Sequence, residues 1–225
     1  YLQAWTFFSI SAASMLVWVF PAVISKWSTF WRNSWQIIFI CLISSAFLFP
    51  IMGGLGKIQD RMSNEAPHTF DGMTYMAYSK YNDNGVEMEL RDDYEAILWM
   101  QDNIQGSPVI VEANTPEYRW GSRFTIYTGL PGVVGWNWHQ RQQRAVTEST
   151  WVWDRVDAIK DFYNSIEKGS TRSFLRKFDV EYIILGQLEY ANYQEHGLAK
   201  FSEWEGELWA EVYNQGQTII YQVIK

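Results

Sequence analysis

No charged side chain occurs between Ala4 and Ser25, and none between Ser34 and Met52. The two runs, "WTFFSISAASMLVWVFPAVIS" and "SWQIIFICLISSAFLFPIM", are each about 20 residues long, the length a helix needs to cross the hydrocarbon layer of a bilayer. They predict two transmembrane helices, over about 4–25 and 34–52. The alternative is a pair of buried helices in a soluble core, but such helices rarely lack charge for so long. Trp5, Trp27, Trp31 and Trp35 fall near the proposed ends, where an interfacial aromatic belt belongs. Pro21 and Pro50 fall near the C-terminal ends of the spans, where they cost little backbone bonding. The linker "KWSTFWRN" carries Lys26 and Arg32 without an acid, which places it in the cytoplasm and everything after about Gly56 on the outer face of the plasma membrane. The chain opens on Tyr1, not Met, and reads as the C-terminal part of a longer multi-pass protein, whose earlier spans would be partners of these two.

Three regions are expected: residues 1–56 with the two spans, a juxtamembrane connector and covering loop over 57–91, and an extracytoplasmic domain over 92–225. The covering loop suits a brief strand or turn at 82–85. In the outer domain, "RDDYEAILWMQDNI" is an amphipathic helix that Asp92 or Asp93 can cap, with Ile97, Met100 and Ile104 on one face. Short β-branched runs at 108–113, 132–136 and 180–186 suit buried strands. Helical patterns occupy 121–130, 147–166 and 170–180, the last with Ser170 or Thr171 as cap, and residues 188–204 are helical in part. Two alternating runs around 214–217 form a hairpin. The fold class is therefore α/β: a mostly parallel three-stranded core with a C-terminal antiparallel hairpin, flanked by helices and preceded by two transmembrane helices.

A net charge of -7 excludes a nucleic-acid partner, because phosphate backbones need a basic footprint. The single cysteine, Cys41, excludes an internal disulfide. His68, His139 and His196 lack ligand spacing, so no metal site is expected within these residues. In parallel sheets, ligands bind beyond the carboxyl ends of the strands. Two strands here end in loops of unusual content. The first delivers Glu112, then Asn114, Tyr118, Arg119 and Arg123; the second delivers "NWHQRQQR". If these strands are neighbours, both loops open onto one crevice. Trp136, Asn137, Trp138, His139, Gln140, Arg141 and Arg144, with Tyr118, Arg119 and Arg123, then form a candidate site for a polar, anionic, sugar-bearing ligand. Guanidiniums fork onto phosphate oxygens, and indoles cover the apolar faces of a sugar. Glu112 is the one candidate acid. A structural reading stands beside each assignment: the indoles as core, the arginines as partners of carboxylates, His139 as a local hydrogen-bonding residue, and Glu112 as an arginine partner holding two loops together.

The blocks "DYEAILWMQDNIQGSPVIVEA", "YRWGSRFTIYTGLPGVVGWNWHQRQQR" and "LRKFDVEYIILG" together resemble the C-terminal part of the Chlor_Arch_YYY family of large multi-pass membrane proteins. That family is itself similar to GT-C glycosyltransferases. The resemblance implies transfer of a sugar from a polyprenyl-phosphate carrier on the outer membrane face. It also implies that the main catalytic acid, and any divalent metal, belong to a loop upstream of these residues. Membrane lipid and a lipid-linked phosphate sugar are the implied partners. Arg141 and Arg144 would meet the phosphate; Trp136, Asn137, Trp138 and His139 would meet sugar or acceptor. The rival expectation is a non-catalytic, membrane-anchored module that binds a glycan or a partner.

Overall fold

A computed structural model describes residues 2–62, 65–83, 85–147 and 150–224. The chain divides into two compact units, Tyr1–Met62 and Ser63–Lys225.

The first unit is two helices, α1 (Leu2–Lys26) and α2 (Thr29–Arg61). Both are long and apolar enough to cross a membrane. In α1 the hydroxyls of Thr6, Ser9, Ser14 and Ser25 each donate to the carbonyl four residues earlier. A helix in an apolar medium must satisfy its polar groups this way. Phe20 packs edge-on against Trp35 and Phe39, tying the two helices together. The linker shrinks to Trp27 and Ser28. α2 also runs past the expected end at 52, through Gly53, Gly54 and Gly56, so Pro50 lies inside it and not near its end. Each glycine costs roughly 1 kcal/mol against alanine, but Leu55, Lys57, Ile58 and Gln59 are good helix formers, and the ladder continues to a bond from the Met62 N–H to the Ile58 carbonyl (3.0 Å). The expected connector therefore begins as helix.

The second unit opens with a short 3-10 turn (Thr74–Ala77) and a hairpin, β1 (Lys80–Asp83) and β2 (Val86–Glu89). Position 84 of the expected turn lies outside the described residues. There follow α3 (Leu90–Asn103), β3 (Val109–Val111), α4 (Arg123–Thr128), α5 (Asn137–Gln143), α6 (Thr150–Asn164), α7 (Lys168–Lys177), β4 (Val180–Leu185), α8 (Gln187–Asn192), α9 (Glu195–Leu198), α10 (Lys200–Glu203), β5 (Trp209–Gln215) and β6 (Thr218–Val223). The sheet order is β3-β4-β6-β5. β3 and β4 are parallel, whereas β4–β6 and β6–β5 are antiparallel. The α/β class and the terminal hairpin stand as expected.

The finer details depart in four places. Residues 132–136 form no strand; only Gly132 bridges to Ile110. Gly135 turns left-handed (φ 67), and the Val133 carbonyl accepts from Arg155 Nη1 (2.6 Å) instead of a ladder N–H. One parallel pair is left. "NWHQRQQ" is a helix, α5, where a polar loop was expected. α3 starts at Leu90 after Glu89, so Asp92 and Asp93 sit in its first turn and face other partners. α7 starts after Glu167, which puts Ser170 and Thr171 inside it. Of the helix expected over 147–166, residues 148 and 149 lie outside the described residues.

β4 is buried on both faces. Ile183 and Leu185 belong to one buried cluster with Phe162, Tyr163, Phe201, Trp209 and Tyr221; Ile184 belongs to another with Ile97, Met100, Phe124 and Ile220. A strand enclosed by two helical layers reads as a continuous apolar run, which is why "YIIL" was legible. Beneath α6, the buried Lys200 ammonium donates to the carbonyls of Phe162 and Ser165. Burial lowers its pKa to about 7. The unfolded chain keeps this proton up to about 10.4, so between those limits the unfolded state binds more protons and stability rises with pH. The slope should approach about 1.4 kcal/mol per pH unit. Denaturant unfolding of the chain in detergent at pH 6.5, 8 and 9.5 checks this, and Lys200→Met should remove that contribution to the slope.

Candidate functional site

The space beyond the carboxyl ends of β3 and β4 is filled. The Tyr163 hydroxyl donates to the Ile184 carbonyl (2.8 Å) and lies 3.2 Å from that of Val111. Its ring stacks on Tyr193 (4.5 Å), whose hydroxyl accepts the Asn114 N–H. Next to them lies Arg123, with a side chain entirely excluded from solvent. Its Nε donates to Asp93 (2.5 Å), Nη2 and Nη1 donate to Glu189 (2.9 and 3.2 Å), and Nη1 lies 3.7 Å from Glu112. Burial alone would lower the guanidinium pKa; Asp93, Glu189 and Glu112 outweigh it and hold the pKa well above its ordinary value.

Each carboxylate is engaged further. Asp93 accepts from Trp120 Nε1 (2.9 Å) and the Thr218 hydroxyl (3.1 Å). Glu189 accepts the N–H groups of Ala113 (2.7 Å) and Gly186 (2.8 Å). Glu112 accepts those of Phe124 (2.9 Å) and Thr125 (2.8 Å) at the start of α4. Burial raises its pKa, against the pull of Arg123 and of those two N–H groups. Arg119 is also spoken for, by the buried Asp83 (2.8 Å). Glu112, the candidate acid, and Arg123, a candidate ligand contact, are thus structural groups, whereas Arg119, its side chain 34% exposed, is paired but not enclosed. A carboxylate with both oxygens committed is no free acid, and a guanidinium without exposed surface meets no ligand.

The remaining candidates do come together on the surface. Asn114 Nδ2 donates to the Gly135 carbonyl (3.2 Å), and Trp136 Nε1 to that of Gly121 (3.1 Å), so the two loops lie side by side. Tyr118 and Ser122 adopt left-handed backbone (φ 64 and 62), a strained geometry for such residues. It projects the Tyr118 ring, 72% exposed, against Trp136 and His139. Trp136 and His139 are also edge-on, 5.1 Å apart. One turn on, the Arg141 guanidinium lies between two indoles, 4.7 Å from Trp138 and 4.5 Å from Trp153. Glu117 (2.9 Å) and the buried Asn137 (3.3 Å) hold its Nη2. Arg144 lies over Trp151 and takes Gln140 as acceptor for its Nε (3.0 Å). Arg155 covers Trp151 too; burial, then the Arg144 charge, lowers its pKa. A cleft of about 380 Å³ opens here, lined by Arg141, Arg144, Thr147, Thr150, Trp153 and Asp154 among others.

Sequence reasoning missed Asp93, Glu189, Glu117 and Trp153. For Glu189 a signal existed: an acid three residues after Gly186 at a strand end fits the start of a helix. Nothing local points to Glu117 or Trp153, whose partner Arg141 is on another helix. Among the described residues no group of His, Cys, Asp and Glu is placed to hold a metal ion.

No protein-family model matches the chain, so membership of the resembled family is not shown, and no curated protein matches it. Among solved structures it is similar to the C-terminal globular domain of an oligosaccharyltransferase from Archaeoglobus fulgidus, at 13% identity and a TM-score of 0.41, covering 61% of this chain and 100% of that one.

Replacing Arg123 leaves three buried carboxylates without their cation. Arg123→Met should destabilise the second unit by about 3–5 kcal/mol, the usual cost of orphaning a buried charge. Chemical unfolding followed by near-UV circular dichroism measures the loss; a change below about 1 kcal/mol would contradict the assignment of Arg123 as a structural cation.

Proposed function

We propose that the chain is the C-terminal part of a membrane-embedded glycosyltransferase of GT-C type. In this reading the second unit lies on the outer face and binds and orients a sugar carried on a polyprenyl phosphate. The catalytic acid comes from elsewhere in the full-length protein, since Glu112 is committed to α4 and Arg123. The observation that carries the reading is the surface row of Tyr118, Trp136, His139, Trp138, Arg141, Trp153 and Arg144. Its chemistry is divided in two. Aromatic faces can cover the apolar side of a sugar ring. Arg144, which lines the cleft, supplies a fork for phosphate oxygens. Trp138, Trp153 and Glu117 fix the Arg141 plane before any ligand arrives, so little ordering entropy is lost on binding. The quoted sequence blocks and the two apolar helices support reading this surface as part of a membrane protein of the resembled kind.

A second reading, a non-catalytic glycan- or partner-binding module, draws on the Arg141–Glu117 ion pair, which already neutralises one of the cations. Sugar transfer from a polyprenyl-phosphate donor, in membranes carrying the full-length protein, separates the two. Arg141→Ala and Trp138→Ala should each lower the rate by about tenfold or more, equivalent to roughly 1.4 kcal/mol of transition-state binding, with the unfolding midpoint little changed. Unaltered rates in both variants would remove the site assignment, and absence of any transfer by the wild type would favour the module.

A further inference from the structure

The cleft beside Arg141 and Arg144 has a charge pattern that decides which anion it can take. Its volume, about 380 Å³, is in the range of small-ligand sites. Among the described residues three charged side chains line it: Arg141, Arg144 and Asp154. Arg141 is already neutralised, by Glu117 at 2.9 Å. Arg144 is not. Its Nε donates to the neutral Gln140 amide (3.0 Å) and its guanidinium lies over the Trp151 ring, contacts that leave its charge whole. Asp154 is exposed, and among the described residues its carboxylate has no ion pair and no hydrogen bond. It does not pair with Arg144 either, although both line the cleft, so a ligand has room between them.

A free cation and a free carboxylate in one cleft make different demands. The guanidinium takes a pair of anionic oxygens. The carboxylate offers only acceptors, so the group that meets it must donate hydrogen bonds. A second negative charge brought there is repelled. A sugar joined through one phosphate answers both demands, with one negative charge followed by a ring of hydroxyl donors. A sugar joined through a diphosphate brings two negative charges to one free cation.

Resting on the reading of this cleft as a sugar-phosphate site, we infer that Asp154 selects the linkage. It accepts sugar hydroxyls while Arg144 holds a phosphodiester of single negative charge, and it turns diphosphate-linked sugars away. Asp154 is thus a specificity residue of the cleft, with no part in bond making or breaking.

The probes that test this are methyl glucosyl phosphate and methyl glucosyl diphosphate, which differ by one phosphate and stay in water. Ligand-observed NMR titration of the full-length protein in detergent at low salt gives both dissociation constants. The wild type should bind the monophosphate on the order of tenfold more tightly, the scale of one repelling charge a few ångström away in partly screened water. Asp154→Asn should abolish most of that preference, and added salt should shrink it in the wild type. Asp157 is an exposed acid one turn along α6 and outside the cleft. Asp157→Asn removes the same net charge and should leave the preference in place. Equal binding of the two probes by the wild type, binding of neither, or an equal loss of preference in both variants would overturn the inference. Selective binding by a protein that transfers no sugar would uphold the role of Asp154 and remove the transferase reading. Sugar transfer without selective binding would do the reverse.

Discussion

One guanidinium holds the second unit together. Arg123 reaches Asp93 on α3, Glu189 on α8 and Glu112 just past the end of β3, and so joins three segments at one point. A buried cation is stable only when its solvation is replaced, and here three carboxylates and their own N–H partners replace it. The arrangement also sets a limit on the surroundings. A Cβ on Gly186 would stand 3.3 Å from Arg123 Nη2 and 3.1 Å from the Thr218 hydroxyl, so the turn after β4 has little room for a side chain. Hairpin β1–β2 closes over this cluster through the Asp83–Arg119 pair and the exchange between Gln187 and Glu89.

The surface row of aromatic rings and cations depends on that interior. Glu112 caps α4 and Glu189 holds Ala113, so the loop that follows is fixed at its root. Gly121 fits against Thr115, where a Cβ would meet its hydroxyl at 2.4 Å. Between these points the chain has no slack, and it carries Tyr118 and Ser122 in left-handed backbone without relaxing. The Arg141 slot is built differently, from two helices: α5 brings Trp138 and Asn137, α6 brings Trp153, and the loop lends Glu117. The site is thus a surface supported from within, and the crevice at the strand ends is occupied by the support itself.

The two apolar helices were readable as uncharged runs, and β4 and the terminal hairpin because burial imposes a local pattern: a β-branched run, an alternation about a turn. The segment 132–136 has the same composition as a strand but is diverted by a left-handed glycine and by Arg155, which takes the Val133 carbonyl. That partner is distant in sequence, so no window around Val133 contains the information. The same holds for the site. Clustering of Arg119, Arg123, Arg141 and Arg144 was visible, but which of them face water was decided by Asp83, Asp93, Glu117 and Glu189. The structural alternative for Glu112, an arginine partner holding loops together, describes its surroundings well. For Arg141, stacked and tethered at a cleft, both meanings coincide.

β6 is later in the chain than every other described element, yet it occupies an interior place in the sheet, between β4 and β5. Its neighbourhood reaches far back: Thr218 bonds Asp93, and the Gln217 N–H bonds Asp92. During synthesis, β4 must therefore wait with one hydrogen-bonding edge open while some thirty further residues are made. A nascent unit in that condition is vulnerable to pairing with the wrong strand, and its closure is slow because the contacts that reward it span most of its length. Truncation or stalling ahead of Thr218 would leave an aggregation-prone fragment rather than a smaller folded unit.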